Sequence, residues 1–274
     1  ALKIWVRSGF KNASEQDIFV IVRDLKEGVF TGLSREPFPN YNVNYVLGDF
    51  VRVIRGIATG ANDFFFMTVE KARRLEIPEE YFIKAIGRTR DVPGDEITHE
   101  TIEILERQER PTLLLMLSGG NIETFPDSVR RYLREGESLG LPKRPLIAQR
   151  KPWYKMEVRV PPPFLFAYLG RRNSRFIRNI AGVVPLTGFL CVYPKDNGEE
   201  HLEQIWKILN HPDTVANLAK IGKTYGDGAI KIEPRLLEKL PIPDNVIQQF
   251  GFPVQMRLFE QRESYTTRTG HDEA

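Results

Sequence analysis

A single cysteine, Cys191, among 274 residues leaves this chain without an internal disulfide framework and without a multi-cysteine zinc site. Cys191 sits in the apolar run Gly188 to Tyr193, where a buried structural thiol is expected rather than a nucleophile. The four histidines, His99, His201, His211 and His271, are scattered, with no i+3 or i+4 spacing to another ligand type that would suggest a metal site, so none is expected. No apolar run reaches the length needed to cross a bilayer, and no apolar leader opens the chain. The first residue is Ala1 rather than Met, which reads as a processed or excised fragment, and the single thiol suits a reducing cytoplasm. Repeats and low-complexity tracts are missing too. Strong charge of one sign is also lacking: 39 basic residues face 36 acidic ones, a net of +3, so bulk charge does not announce a nucleic-acid partner.

What the chain does have is a core and an uneven charge distribution. With 41% hydrophobic and 11% aromatic residues, 274 residues suffice for one large domain or two small ones. From Lys143 to Arg178 there are ten cations (Lys143, Arg144, Arg150, Lys151, Lys155, Arg159, Arg171, Arg172, Arg175 and Arg178) and one acid, Glu157, a local net of +9. Such a surface attracts phosphates, and binding that displaces counterions falls steeply with salt; a solvated basic face without a partner is the competing reading. Trp153 and Tyr154 lie beside Arg150 and Lys151, and Tyr168 and Phe176 flank the arginines. Flat rings next to cations suit stacking on bases or sugar, while a Trp at the edge of an extended segment equally suits the core.

The organisation is mixed rather than alternating, which gives an α+β class of small mixed sheets with packed helices. Residues 1–45 are polar and turn-rich, with Pro37, Pro39, Asn40, Asn42 and Asn44 around the strand-like run Ile18 to Val22, and read as a tail of a preceding domain. Residues 46–257 form the main domain and 258–274 a polar C-terminal tail. Thr68 caps a helix from Val69 to Leu75; Thr112 to Leu117 is a strand; Asp127 caps a helix carrying Val129, Tyr132 and Leu133, with Gly136 and Gly140 breaking it. The acids from Asp95 to Glu106 alternate with apolar residues as on a solvated strand or helix face. His201 to Leu209 and the segment from Pro212 to Ile221 are two scaffold helices, Trp206 is core, and Pro234 opens a short helix that Pro241 ends.

The most informative stretch runs from Val53 to Phe66. Leu47 to Ile54 reads as a strand and Phe64 to Met67 as another, so Gly56 and Gly60 bracket a loop that displays Arg55, Thr59 and Asn62. Those three side chains can hold a phosphate or a base edge; a plain turn in a β-rich domain is the alternative.

The segment from Leu47 to about Arg90 resembles the start of the target-recognition domain of the adenine-amino DNA methyltransferases of restriction-modification systems, the TaqI-like and Eco57I-like enzymes. Two further blocks resemble the same family in the same order. One is Arg150 to Tyr154 followed by Pro161 to Pro163 and Arg171 to Asn179; the other is Gly222 to Gly228 running into Ile232 to Pro234 and Leu240 to Pro243. The family's Asn/Asp-Pro-Pro-aromatic motif and its acidic glycine loop for S-adenosylmethionine are not found. Val160-Pro161-Pro162-Pro163-Phe164 only echoes the first, because Val160 offers an amine no acceptor, and it reads as an extended connector. Gly119-Gly120 and Gly226-Asp227-Gly228 read as turns.

The resemblance implies a bacterial or archaeal duplex DNA recognition module without catalytic residues of its own, attached in its parent to a catalytic domain that takes S-adenosylmethionine, with or without a fused endonuclease. Its implied DNA-binding residues are Arg55, Thr59, Asn62, Arg88, Arg90, Arg150, Lys151, Trp153, Tyr154, Arg171, Arg172, Asn173, Arg175, Asn179, Lys223 and Tyr225. Arginine and lysine would meet phosphates or guanine edges, and the asparagines adenine or backbone. A protein-protein module using the same arginine and aromatic surface is the alternative from another class.

Overall fold

A computed structural model describes residues 7, 44–168, 174–221, 223–224 and 230–250 of the chain. Within them the class is α+β, with two principal sheets. The larger has five strands, in the order Val51–Arg55, Phe189–Pro194, Phe164–Ala167, Arg175–Asn179 and Glu96–Ile97; the last pair is parallel and the others antiparallel. The smaller has four, in the order Phe66–Met67, Leu113–Leu115, Phe82–Ile86 and Val184–Pro185.

Both faces of the larger sheet are covered, which is why its central strands read as unbroken apolar runs. Side chains alternate along Phe164–Ala167 with the period of two that a strand imposes. Phe164 and Phe166 join a core completed by Ile205, Ile208, Leu218, Leu237 and Val246 of the helices Glu199–Leu209, Pro212–Ile221, Pro234–Leu237 and Asp244–Gln249. Leu165 and Ala167 face the opposite way, onto Ile97, Ile102 and Leu105. The acidic stretch therefore holds a helix, His99–Arg107, with Ile102 and Leu105 inward and its carboxylates mostly outward. The two scaffold helices and the short one opened by Pro234 form as the sequence predicts, and the Trp206 ring stacks on Phe164 at 5.6 Å between centroids.

Three local expectations are corrected. Leu47–Phe50 is a helical turn, not strand: the Asp49 carboxylate accepts the Val46 N–H at 2.9 Å, and Gly48 packs on Glu238, its N–H donating to the Glu238 carbonyl at 2.7 Å. Only Val51–Arg55 is extended. Likewise Asn62–Phe65 is a helical turn, and the strand begins at Phe66. Gly136 does not break its helix, which runs from Asp127 to Ser138. A Cβ at Gly136 would lie 2.6 Å from Trp153 and 2.8 Å from Phe64, so the missing side chain is what lets those rings dock on the helix. Thr68 caps Val69–Arg74 as expected, accepting the Lys71 N–H at 3.1 Å.

The strand Val51–Arg55 leaves the larger sheet and enters the smaller one at Gly56. Its N–H donates to the Phe189 carbonyl at 3.1 Å, the next residue's to Pro185 at 2.9 Å, and Ile57 bridges to Leu186. A Cβ at Gly56 would fall 2.1 Å from the Leu186 carbonyl oxygen. Backbone contact at a sheet junction, rather than loop flexibility, is what demands glycine here.

Candidate nucleic-acid interface

The turn from Arg55 to Asn62 is built from within. The Thr59 hydroxyl accepts the Ala61 N–H at 3.1 Å and donates to the Asn62 carboxamide oxygen at 2.5 Å, closing a local motif that starts the turn of helix at Asn62. Gly60 takes a left-handed φ of 76°, and a Cβ there would lie 2.8 Å from the Ile147 side chain.

Three arginines of the irregular basic segment reach this turn from outside. Arg159 donates to the Arg55 carbonyl, Arg150 to the Ala58 carbonyl at 2.6 Å, and Arg144 to the Gly60 carbonyl at 3.3 Å. The two features that the sequence presents ninety residues apart are thus one structural unit. The guanidinium groups satisfy carbonyls that a sharp turn cannot pair in a ladder. Arg150 also lies over the Phe65 ring at 5.8 Å, and burial pulls its pKa below the ordinary arginine value. Its Nη1 is buried with no partner. Arg159 is further held by Glu157 and by the Cys191 sulfur at 3.6 Å. In the sequence Arg144 and Arg159 stand out only as members of the basic run; nothing in local spacing marks them as partners of the turn.

The sequence-predicted residues divide sharply. Arg55 is exposed and ion-paired with Glu233. Asn62, Arg88, Arg90 and Lys151 are exposed, and Arg90 borders a cleft of about 410 Å³ with Asp91, Ile104 and Arg110. Thr59 is not displayed as expected: it is 1% exposed because the turn needs its hydroxyl. Tyr154 is buried and its hydroxyl donates to the Gly120 carbonyl at 2.8 Å. Trp153 is half-buried among Phe64, Phe65 and Tyr154, with its indole N–H 3.3 Å from Glu137, so its ring packs against the core as the alternative reading of this tryptophan has it. Arg175 turns away from solvent to the Val92 carbonyl at 2.6 Å, to Gly94 and to Asp95. Asn179 is buried, donating to the Pro162 and Val183 carbonyls and accepting the Val183 N–H. Lys223 lies in a two-stranded ribbon opposite Lys231, while Arg171, Arg172, Asn173 and Tyr225 lie outside the described residues.

Around the clamped turn, the side chains of Lys143, Arg144 and Lys151 stand exposed, and none has a carboxylate within ion-pair distance among the described residues. Gly119 and Gly120 are closely packed: the Tyr154 hydroxyl bonds the Gly120 carbonyl, and a Cβ at Gly119 would lie 3.1 Å from the Lys155 side chain. Groups of three or more His, Cys, Asp or Glu able to hold a metal ion are absent among the described residues.

The α+β fold is similar to that of part of a solved restriction-modification enzyme. Residues 41–267 match the family described as the C-terminal domain of the Type II methyltransferase M.Eco57I, and the chain belongs to that family. Type II methyltransferase M.AccI of Acinetobacter calcoaceticus is 30% identical over 193 residues, 69% of this chain and 35% of that protein. Type II methyltransferase M.XamI of Xanthomonas campestris pv. amaranthicola is 25% identical over 203 residues, 72% of this chain and 36% of that protein. The chain thus spans little more than a third of these relatives. Among solved structures, the Type IIL restriction-modification enzyme MmeI in complex with DNA is similar in fold, with a TM-score of 0.50 at 12% identity over 74% of this chain and 27% of that one.

Proposed function

We propose that this chain is the duplex DNA recognition module of an adenine-specific restriction-modification methyltransferase, and that the clamped turn and its basic rim form part of its DNA face. The observation that carries the reading is the convergence of Arg144, Arg150 and Arg159 on the carbonyls of residues 55 to 60, which gathers cations at one turn. Membership of the M.Eco57I C-terminal domain family supports it. Exposed Arg55 and Asn62 lie on the same turn and are of the side-chain types that pair with guanine and adenine edges. The methyl-transfer site and its S-adenosylmethionine belong in this reading to the remainder of a longer cytoplasmic parent, and the residues described here supply no step of that chemistry.

The test is a fluorescence titration of the chain into mixed-sequence duplex DNA at several salt concentrations, with duplex RNA and single-stranded DNA as comparators. Preference for duplex DNA with affinity falling steeply as salt rises is expected. No duplex binding at about 50 mM salt, where phosphate contacts are strongest, would overturn the reading for this chain.

A further inference from the structure

We infer a division of labour within the basic segment: Lys143, Arg144 and Lys151 bind the phosphodiester backbone of a duplex, while Arg150 is a positioning residue that never touches it. The inference rests on the recognition reading and deepens it by assigning the ligand chemistry of each cation.

Charge by itself would make all four equivalent, and the geometry separates them. A phosphate contact needs a guanidinium or ammonium that is exposed and not already neutralised. Lys143, Arg144 and Lys151 meet both conditions: they are exposed and without an ion pair among the described residues. They are also held close together. Residues 141–150 are wound into consecutive turns, with the Arg144 N–H donating to Leu141, Ala148 to Arg144 and Arg150 to Ile147, all within 3.0 Å. The buried Ile147 pins this coil against Gly60. Arg144 has one Nη on the Gly60 carbonyl at 3.3 Å, and its remaining N–H groups are open to a second acceptor.

Arg150 fails the first condition, being half-buried with its hydrogen-bonding groups turned inward. Its Nη2 is committed to Ala58, its Nη1 is buried, and its face lies over Phe65. From there it can set the shape of the turn, and so the placing of Arg144 and Lys151, without reaching a phosphate. The exposed Arg55 is set apart from the three by its pairing with Glu233.

Salt dependence distinguishes contact from positioning, because each neutralised phosphate adds about 0.9 to the slope of log affinity against log salt, whereas a displaced turn lowers affinity without changing the number of counterions released. Duplex binding is measured for the full chain, for K143A/R144A/K151A, for R150A and for R150K, each checked for native melting. The triple variant is expected to lose about 2 to 3 units of slope, equally for all sequences. R150A is expected to bind more weakly with the slope kept, and R150K to recover part of the affinity. A triple variant with the full slope overturns the phosphate assignment while leaving the recognition reading intact. A loss of about one unit in R150A makes Arg150 a contact and overturns its positioning role. Absence of salt-dependent duplex binding by the unsubstituted chain removes the recognition reading and this inference together.

Discussion

The Arg150 guanidinium donates to the carbonyl oxygen of Ala58 at 2.6 Å across 92 positions of sequence, tying the basic segment to the glycine turn. A charged donor on a backbone acceptor of this kind is worth about 1.5 to 3 kcal/mol. Arg150 therefore does for the turn what a ladder partner does for a strand. It also accounts for an arginine at a half-buried site, where desolvation opposes its charge.

The Gly56 junction is the point at which the fold tolerates least change. In Gly56→Ala the new methyl would meet the Leu186 carbonyl oxygen at 2.1 Å, and both partners are backbone in bonded sheets. Neither can rotate aside, so the loss of stability is expected to reach at least about 3 kcal/mol, the upper range for overpacking. Gly94→Ala is the control: no atom lies within 4 Å of its Cβ, and a change within about 0.5 kcal/mol is expected. Urea unfolding of the two variants beside the unsubstituted chain checks both.

How far the sequence exposes this architecture depends on whether the relevant partner is near in the chain. Thr68 at its helix start and the helices Glu199–Leu209 and Pro212–Ile221 were legible because a cap or an apolar face is written in adjacent residues. Leu47–Phe50 reads as strand in the sequence because its turn is fixed by Asp49 locally and by Glu238 far away, against the β-like composition around it. The basic segment was visible as charge, but which arginines face solvent was not. Arg175 satisfies the 92–94 loop and Arg150 the 58 carbonyl, and both acceptors are more than eighty residues distant. Gly136 looked like a helix breaker because the rings that need its bare face come from Phe64 and Trp153.

Asn179 belongs to the scaffold by the same reasoning. Its carboxamide bonds Pro162 at 2.7 Å and both backbone groups of Val183, at 2.8 and 3.0 Å, closing the turn after its strand. Asn179→Ala strands three buried polar groups, each costing about 1 to 3 kcal/mol, partly relieved if water enters. A net loss of about 2 to 5 kcal/mol is expected in denaturant unfolding. A variant that melts like the unsubstituted chain would show that the turn stands without it.

Cys191 is expected to be inert in the folded protein. It is fully buried, and burial raises its thiol above the ordinary cysteine value even though Arg159 lies beside it and acts the other way. The thiolate is the reactive form, so both access and ionisation oppose attack at neutral pH. Titration with a chromogenic thiol reagent should give slow labelling that becomes rapid and stoichiometric in denaturant. Prompt labelling of the native chain would place Cys191 within reach of solvent.

Glu106 supplies an acid-dependent element of stability. Burial acts to raise its pKa, but the Lys84 ammonium and the Thr112 hydroxyl, which donates at 2.7 Å, hold it below the usual glutamate range. A carboxylate whose pKa is lower folded than unfolded contributes stability above the unfolded value, about 4.3, and loses it as pH falls through the folded value. Glu106→Gln keeps the shape but not the charge. Its melting temperature should fall below that of the unsubstituted chain at pH 7, and the gap should narrow below about pH 4 as the native carboxylate protonates. A gap that stays constant with pH would mean that Glu106 acts through shape and neutral hydrogen bonding alone.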